Sequence, residues 1–68
     1  MNLYFGQRLK ELRNEKGFTQ LQLAEIFKVS KTTICQWETS KQEPDLDKLT
    51  TIAKFFDVST DYLLGLED

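Results

Sequence analysis

Apolar residues fall at Phe5, Leu9 and Leu12, a spacing of four and then three that lines up one side of a helix with charged residues elsewhere. The pattern predicts a first helix over Asn2 to Lys16, ended by Gly17, which is free to take the left-handed conformation of a C-terminal cap. The stretch from Thr19 to Glu38 then breaks into two short helices. Thr19 is an N-cap with Gln22 three residues on, so hydroxyl and side-chain amide can satisfy each other's backbone N–H in a capping box, and Phe18 and Leu23 stand at staple spacing around it. Ser30 opens the next helix, with Val29 and Ile34 at the same spacing. Leu23, Phe27, Val29, Ile34 and Trp37 supply the apolar side of the pair, and Ala24 sits where the axes cross, small enough for the ~8–10 Å approach of packed helices. Downstream, Pro44 keeps the chain extended before Asp45 caps a fourth helix running to about Phe56, with Leu46, Leu49, Ile52, Ala53 and Phe56 as its inward stripe. Ser59, with Val58 and Leu63 around it, starts a short fifth helix that Gly65 stops. No repeat, low-complexity segment or linker interrupts this series, so residues 1–68 read as a single all-α domain, a bundle of five short helices.

At 100° per residue, Ile34 and Trp37 define the buried side of the third helix. Thr32, Gln36 and Thr39 point about opposite, Cys35 lies on the flank, and Lys31 stands in the first turn. The outward face is short, polar and uncharged apart from Lys31. A helix that needs only solvation is better served by Glu and Lys, whereas groups that both donate and accept hydrogen bonds suit base edges.

Composition narrows the function classes. A chain of 68 residues buries only ~60% of its unfolded surface, which leaves little room for a deep catalytic cleft. It has no His, the commonest general base and metal ligand, and its one Cys can form neither an internal disulfide nor a thiolate metal cluster. No metal or cofactor is expected, and no enzyme activity. The lone thiol fits a reducing cytoplasm, and no apolar run approaches a membrane span or a signal peptide. Asp45 and Asp47 lie in a first helical turn, where negative charge meets the positive end of the dipole, so they read as capping residues and not as a catalytic pair. Net charge is −2, against the basic footprint of a nucleic-acid binder. Its distribution changes the picture. Residues 1–42 carry seven Lys and Arg against four Glu, a net +3, while residues 43–68 carry two Lys against seven acids, a net −5. The paired helices lie in the positive part.

The Thr19-Gln20 opening, the Leu23-Ala24 pair, Val29-Ser30, Ile34 and Glu38 together resemble the helix-turn-helix of the Cro and phage-repressor family of bacterial transcription regulators, also called the XRE family. The likeness continues through Arg8 to Arg13, Pro44-Asp45-Leu46, Ile52-Ala53, Val58-Ser59 and Asp61 to Gly65, so nearly the whole chain is covered. The resemblance implies a lambda-repressor-like five-helix domain in which helices 2 and 3 form the motif and the third helix enters the major groove. Carried over by position, it makes Lys31, Thr32 and Gln36 the base readers. Lys31 suits guanine, the Thr32 methyl suits a thymine methyl, and Gln36 can bond adenine in bidentate fashion. It makes Gln20 a phosphate ligand at a helix terminus. Thr33 lies nearer the bundle, where phosphate or core contact are both open, and the loop from Thr39 carries Lys41 and hydroxyls within reach of phosphate. Arg13 is implied to pair with Glu38 while facing a phosphate. Thr19, Ala24, Ser30, Ile34, Trp37 and Glu38 are then structural. Lys28 stands where the family usually has Gly, which implies left-handed backbone at a non-glycine residue, and Ser40 is a second departure at a position often occupied by Gly.

These readings converge on a prokaryotic or phage regulator that binds double-stranded DNA, a repressor by family analogy. One module grips few base pairs, so a homodimer on a palindromic operator with half-sites about one helical turn apart is expected. Phe55, Tyr62, Leu64 and Leu66 form the candidate self-association surface, unless they pack in the core. The alternative function is a protein-interaction module, such as an antitoxin using the same fold.

Overall fold

The computed structural model describes residues 3–67, so Asn2, the predicted start of the first helix, lies outside the described residues. Five helices follow in order: α1 (Leu3–Lys16), α2 (Gln20–Phe27), α3 (Lys31–Glu38), α4 (Leu46–Phe56) and α5 (Thr60–Leu63). Their starts are where the caps place them. The Thr19 hydroxyl accepts from the Gln22 N–H at 3.1 Å while the Gln22 side-chain Oε1 accepts from the Thr19 N–H at 2.8 Å, so the capping box is complete. Ser30, Asp45 and Ser59 accept from the Thr33, Lys48 and Tyr62 amides in the same way. Each bond satisfies a donor that the helix itself cannot.

The core joins all five elements. Phe5, Leu9 and Leu12 of α1 meet Leu23, Ala24 and Phe27 of α2, Ile34 and Trp37 of α3, Leu49, Ile52, Ala53 and Phe56 of α4, and Leu63 of α5. Phe27, Phe55 and Phe56 stack edge to face, with centroids 5.0–6.4 Å apart. Burial of each large side chain contributes roughly 1.5–3 kcal/mol, so this cluster outweighs any single polar contact. Leu46 corrects the expected stripe on α4. As the first residue of the helix it projects past the packed turns and remains 79% exposed. Tyr62 and Leu64 pack against the core, while Phe55 and Leu66 are exposed, which splits the proposed self-association set.

Two contacts that position α1 are invisible to periodicity. Gly6 is buried where α1 crosses the end of α3, and a Cβ there would lie 2.5 Å from the Trp37 carbonyl oxygen and 2.7 Å from that of Glu38. Arg8 stacks over the Tyr62 ring at 4.3 Å and donates to the Tyr62 and Glu67 carbonyls at 2.7 Å each, fastening the C-terminal segment to α1. The backbone is left-handed at Lys28 (φ 59°), as anticipated, and also at Ser40 (φ 63°) and at Asp57 (φ 56°), which ends α4. Asp tolerates this conformation better than most residues, so that signal was present in the sequence.

Two substitutions test these backbone constraints by chemical denaturation. Lys28→Gly should raise stability by roughly 0.5–1 kcal/mol, because Gly adopts the left-handed cap without a Cβ penalty. Gly6→Ala should lower it by about 1–3 kcal/mol, since the obstructing atoms are backbone and only a shift of α1 from α3 makes room.

Candidate nucleic-acid interface

The aim of α3 follows from its two anchors. Ile34 is fully buried and Trp37 nearly so, and Trp37 meets Phe5 edge to face at 6.4 Å. With that side fixed against α1 and α2, the opposite side forms an open groove lined by Gln20, Lys31, Thr32, Cys35, Gln36, Thr39 and Lys41. Two of these residues are cations and none is an acid, in a chain whose net charge is −2. All three residues assigned to base reading, Lys31, Thr32 and Gln36, therefore share one surface. Lys31 and Thr32 are exposed and Gln36 is half-buried.

The residues assigned to phosphate are placed less uniformly. Gln20, Thr39 and Lys41 line the groove. Thr39 also caps its own helix, its hydroxyl donating to the Cys35 carbonyl at 2.8 Å. Thr33 is half-buried and its hydroxyl shares a 2.9 Å hydrogen bond with that of Ser30. Arg13 does not line the groove. Its guanidinium donates through Nε to Glu38 Oε2 at 2.6 Å, through Nη2 to Glu38 Oε1 at 3.2 Å and through Nη1 to the Phe18 carbonyl at 3.0 Å. The pair implied by the resemblance is present, and it is sheltered: the side chains are 12% and 3% exposed.

Gln20 joins the same carboxylate, Nε2 donating to Glu38 Oε1 at 3.0 Å. A carboxylate only accepts, so the Gln20 amide must turn its NH2 group toward Glu38. Sequence reasoning had Gln20 free for phosphate and missed this tether. It also put Cys35 on the flank, whereas Cys35 is exposed within the groove. The signal was available, because Lys31, Cys35 and Thr39 are spaced by four residues and so lie along one side of the helix.

A family model described as helix-turn-helix matches residues 9–63. The chain belongs to this helix-turn-helix family. Among its similar proteins, the HTH-type transcriptional activator BcrR of Enterococcus faecalis is 45% identical over 94% of this chain and 31% of its own length. The uncharacterized HTH-type transcriptional regulator YobD of Bacillus subtilis (strain 168) is 44% identical over 94% of this chain and 57% of its own length. The HTH-type transcriptional regulator ImmR of the same organism is 38% identical over 93% of this chain and 50% of its own length. The chain thus spans from 31% to 57% of the length of these relatives. Within this helix-turn-helix domain, the all-helical bundle and the paired α2 and α3 are the arrangement the resemblance implied.

Because Glu38 is almost wholly desolvated, loss of either partner leaves an uncompensated group. A double-mutant cycle of Arg13→Ala and Glu38→Ala, read by denaturation, should give a coupling energy of about 1–3 kcal/mol. Additive effects would show that the two side chains act independently.

Proposed function

We propose that this domain binds double-stranded DNA sequence-specifically with α3 in the major groove, as the DNA-reading part of a prokaryotic or phage transcription regulator. The observation that carries the reading is the groove itself: a hydrogen-bonding face with Lys31 and Lys41 and no carboxylate, on a molecule with excess acid elsewhere. A groove of this composition attracts phosphate and offers amide, hydroxyl and ammonium groups to base edges. Lys31, Thr32 and Gln36 read bases, Gln36 by a bidentate contact to adenine and Lys31 by donation to guanine. Gln20, Thr33, Thr39 and Lys41 lie along the flanking phosphates, where they set register and carry no sequence information. Arg13 approaches the backbone from behind Glu38 and chiefly holds the frame.

The protein acts by occupancy and needs no chemistry, which makes repression by exclusion from an operator the simplest mode. The names of the relatives are those of transcription regulators and not of enzymes. A cytoplasmic location agrees with this reading, and no helix among the described residues is long and apolar enough to cross a membrane. Two copies on a palindromic operator would supply the contacts that one α3 lacks. Leu66 (71% exposed) and Phe55 (42% exposed) are the members of the predicted self-association set still available for that purpose. An antitoxin-like role draws no support from the groove, whose chemistry matches nucleotides.

Selection of bound duplexes from a random library tests the whole reading, since it yields affinity, consensus and half-site symmetry together. On the selected duplex, Gln36→Ala should cost ~1–3 kcal/mol and relax preference at one base pair. Equal loss on every sequence would confine Gln36 to the backbone. A slope of log affinity against log salt near zero would contradict the phosphate contacts.

A further inference from the structure

We infer that Lys48, on α4 and outside the groove, is a positioning residue for sequence recognition: its ammonium fixes the end of α2 and thereby the turn that aims α3. The inference rests on the DNA-binding reading above and assigns part of its specificity to an element that touches no DNA.

Lys48 occupies the first turn of α4, three residues after the cap Asp45, which accepts its amide. A cation there opposes the positive end of its own helix dipole, so α4 gains nothing from the charge. The side chain instead runs across to α2, where Nζ donates to the Phe27 carbonyl at 2.7 Å in a partly buried contact. Phe27 is the last residue of α2, where carbonyls have no partner within the helix and carry the negative end of the dipole. The neighbouring carbonyls of Ala24 and Glu25 are served by the turn itself, through the amides of Lys28 and Val29. The Phe27 carbonyl is served from α4.

The Phe27 carbonyl belongs to the peptide that leads into Lys28, the left-handed residue of the turn (φ 59°). Rotation of that peptide is the motion that would swing α3 relative to α2. The Phe27 ring is held by the same helix, edge to face with Phe55 at 5.5 Å and Phe56 at 6.4 Å. α4 therefore grips both ends of one residue, apolar contact fixing the ring and charge fixing the peptide plane. Since Lys48 does not line the groove, its loss should alter discrimination without removing a phosphate contact.

The test compares wild type with Lys48→Met, which keeps the apolar stem, and Lys48→Arg, which keeps the charge. Affinities for the selected duplex and for an unrelated one are measured across a salt series, at a temperature where circular dichroism shows every variant fully folded. Lys48→Met should weaken the selected duplex by about threefold to thirtyfold, leave the unrelated duplex within about twofold and keep the salt slope. Lys48→Arg should restore discrimination. Equal loss on both duplexes, an unchanged ratio, or a slope reduced by about one would overturn the inference. Amide hydrogen exchange without DNA gives a separate readout: Lys48→Met should lower protection of the Lys28 and Val29 amides relative to those of α1, and unchanged relative protection would equally overturn it. A wild-type protein with no preference among duplexes would instead sink the DNA-binding reading, and the exchange measurement still decides whether Lys48 holds the turn.

Discussion

Glu38 closes α3, and its carboxylate, 3% exposed, accepts from Arg13 of α1 at both oxygens and from Gln20 of α2 at one. Withdrawing a carboxylate from water costs several kcal/mol, and the cost is offset only when good geometry fills its lone pairs. Three helices must meet correctly for that to happen, so the arrangement is all or none. Gly6 enforces the same condition sterically, since α1 reaches the last carbonyls of α3 only where no Cβ intervenes. The apolar core supplies most of the stability, but it is non-directional. Glu38 supplies the direction, fixing the rotation of α3 about its axis and hence which side chains face outward.

At the opposite end, α4 and α5 act as a brace. The phenylalanine cluster packs α4 against the end of α2, and Arg8 ties α5 and the segment after it to α1 through the Tyr62 ring and the Tyr62 and Glu67 carbonyls. These contacts leave α3 supported from behind by α1 and α2 and open in front. A short helix of eight residues would fray in isolation, and it holds its shape here because caps, anchors and the Glu38 network bind both of its ends.

Charge is distributed to match. The acids of residues 43–67 lie on the brace and its loops, while the groove presents Lys31 and Lys41 among hydroxyls, amides and one thiol. Overall net charge is therefore a poor guide to this molecule, because the field at a surface within a Debye length, about 8–10 Å at moderate salt, is set by its nearest groups.

The parts legible in the sequence are those decided within a few residues. Caps at Thr19, Ser30, Asp45 and Ser59, the helix end at Gly17, the buried stripe and the outward face of α3 all follow from neighbours three or four positions apart, where backbone geometry alone brings groups together. Left-handed backbone at Lys28 was implied by the Gly that the family usually has there. The Arg13–Glu38 pair was legible only through family resemblance. What the tertiary structure decided are contacts between residues far apart in the chain, whose distance depends on how helices pack: Gln20 on Glu38, Lys48 on the Phe27 carbonyl, Arg8 on Tyr62 and Glu67, and Gly6 against Trp37. Leu46 fails for the same reason, since periodicity says which side of a helix it occupies and not whether another helix extends far enough to cover it.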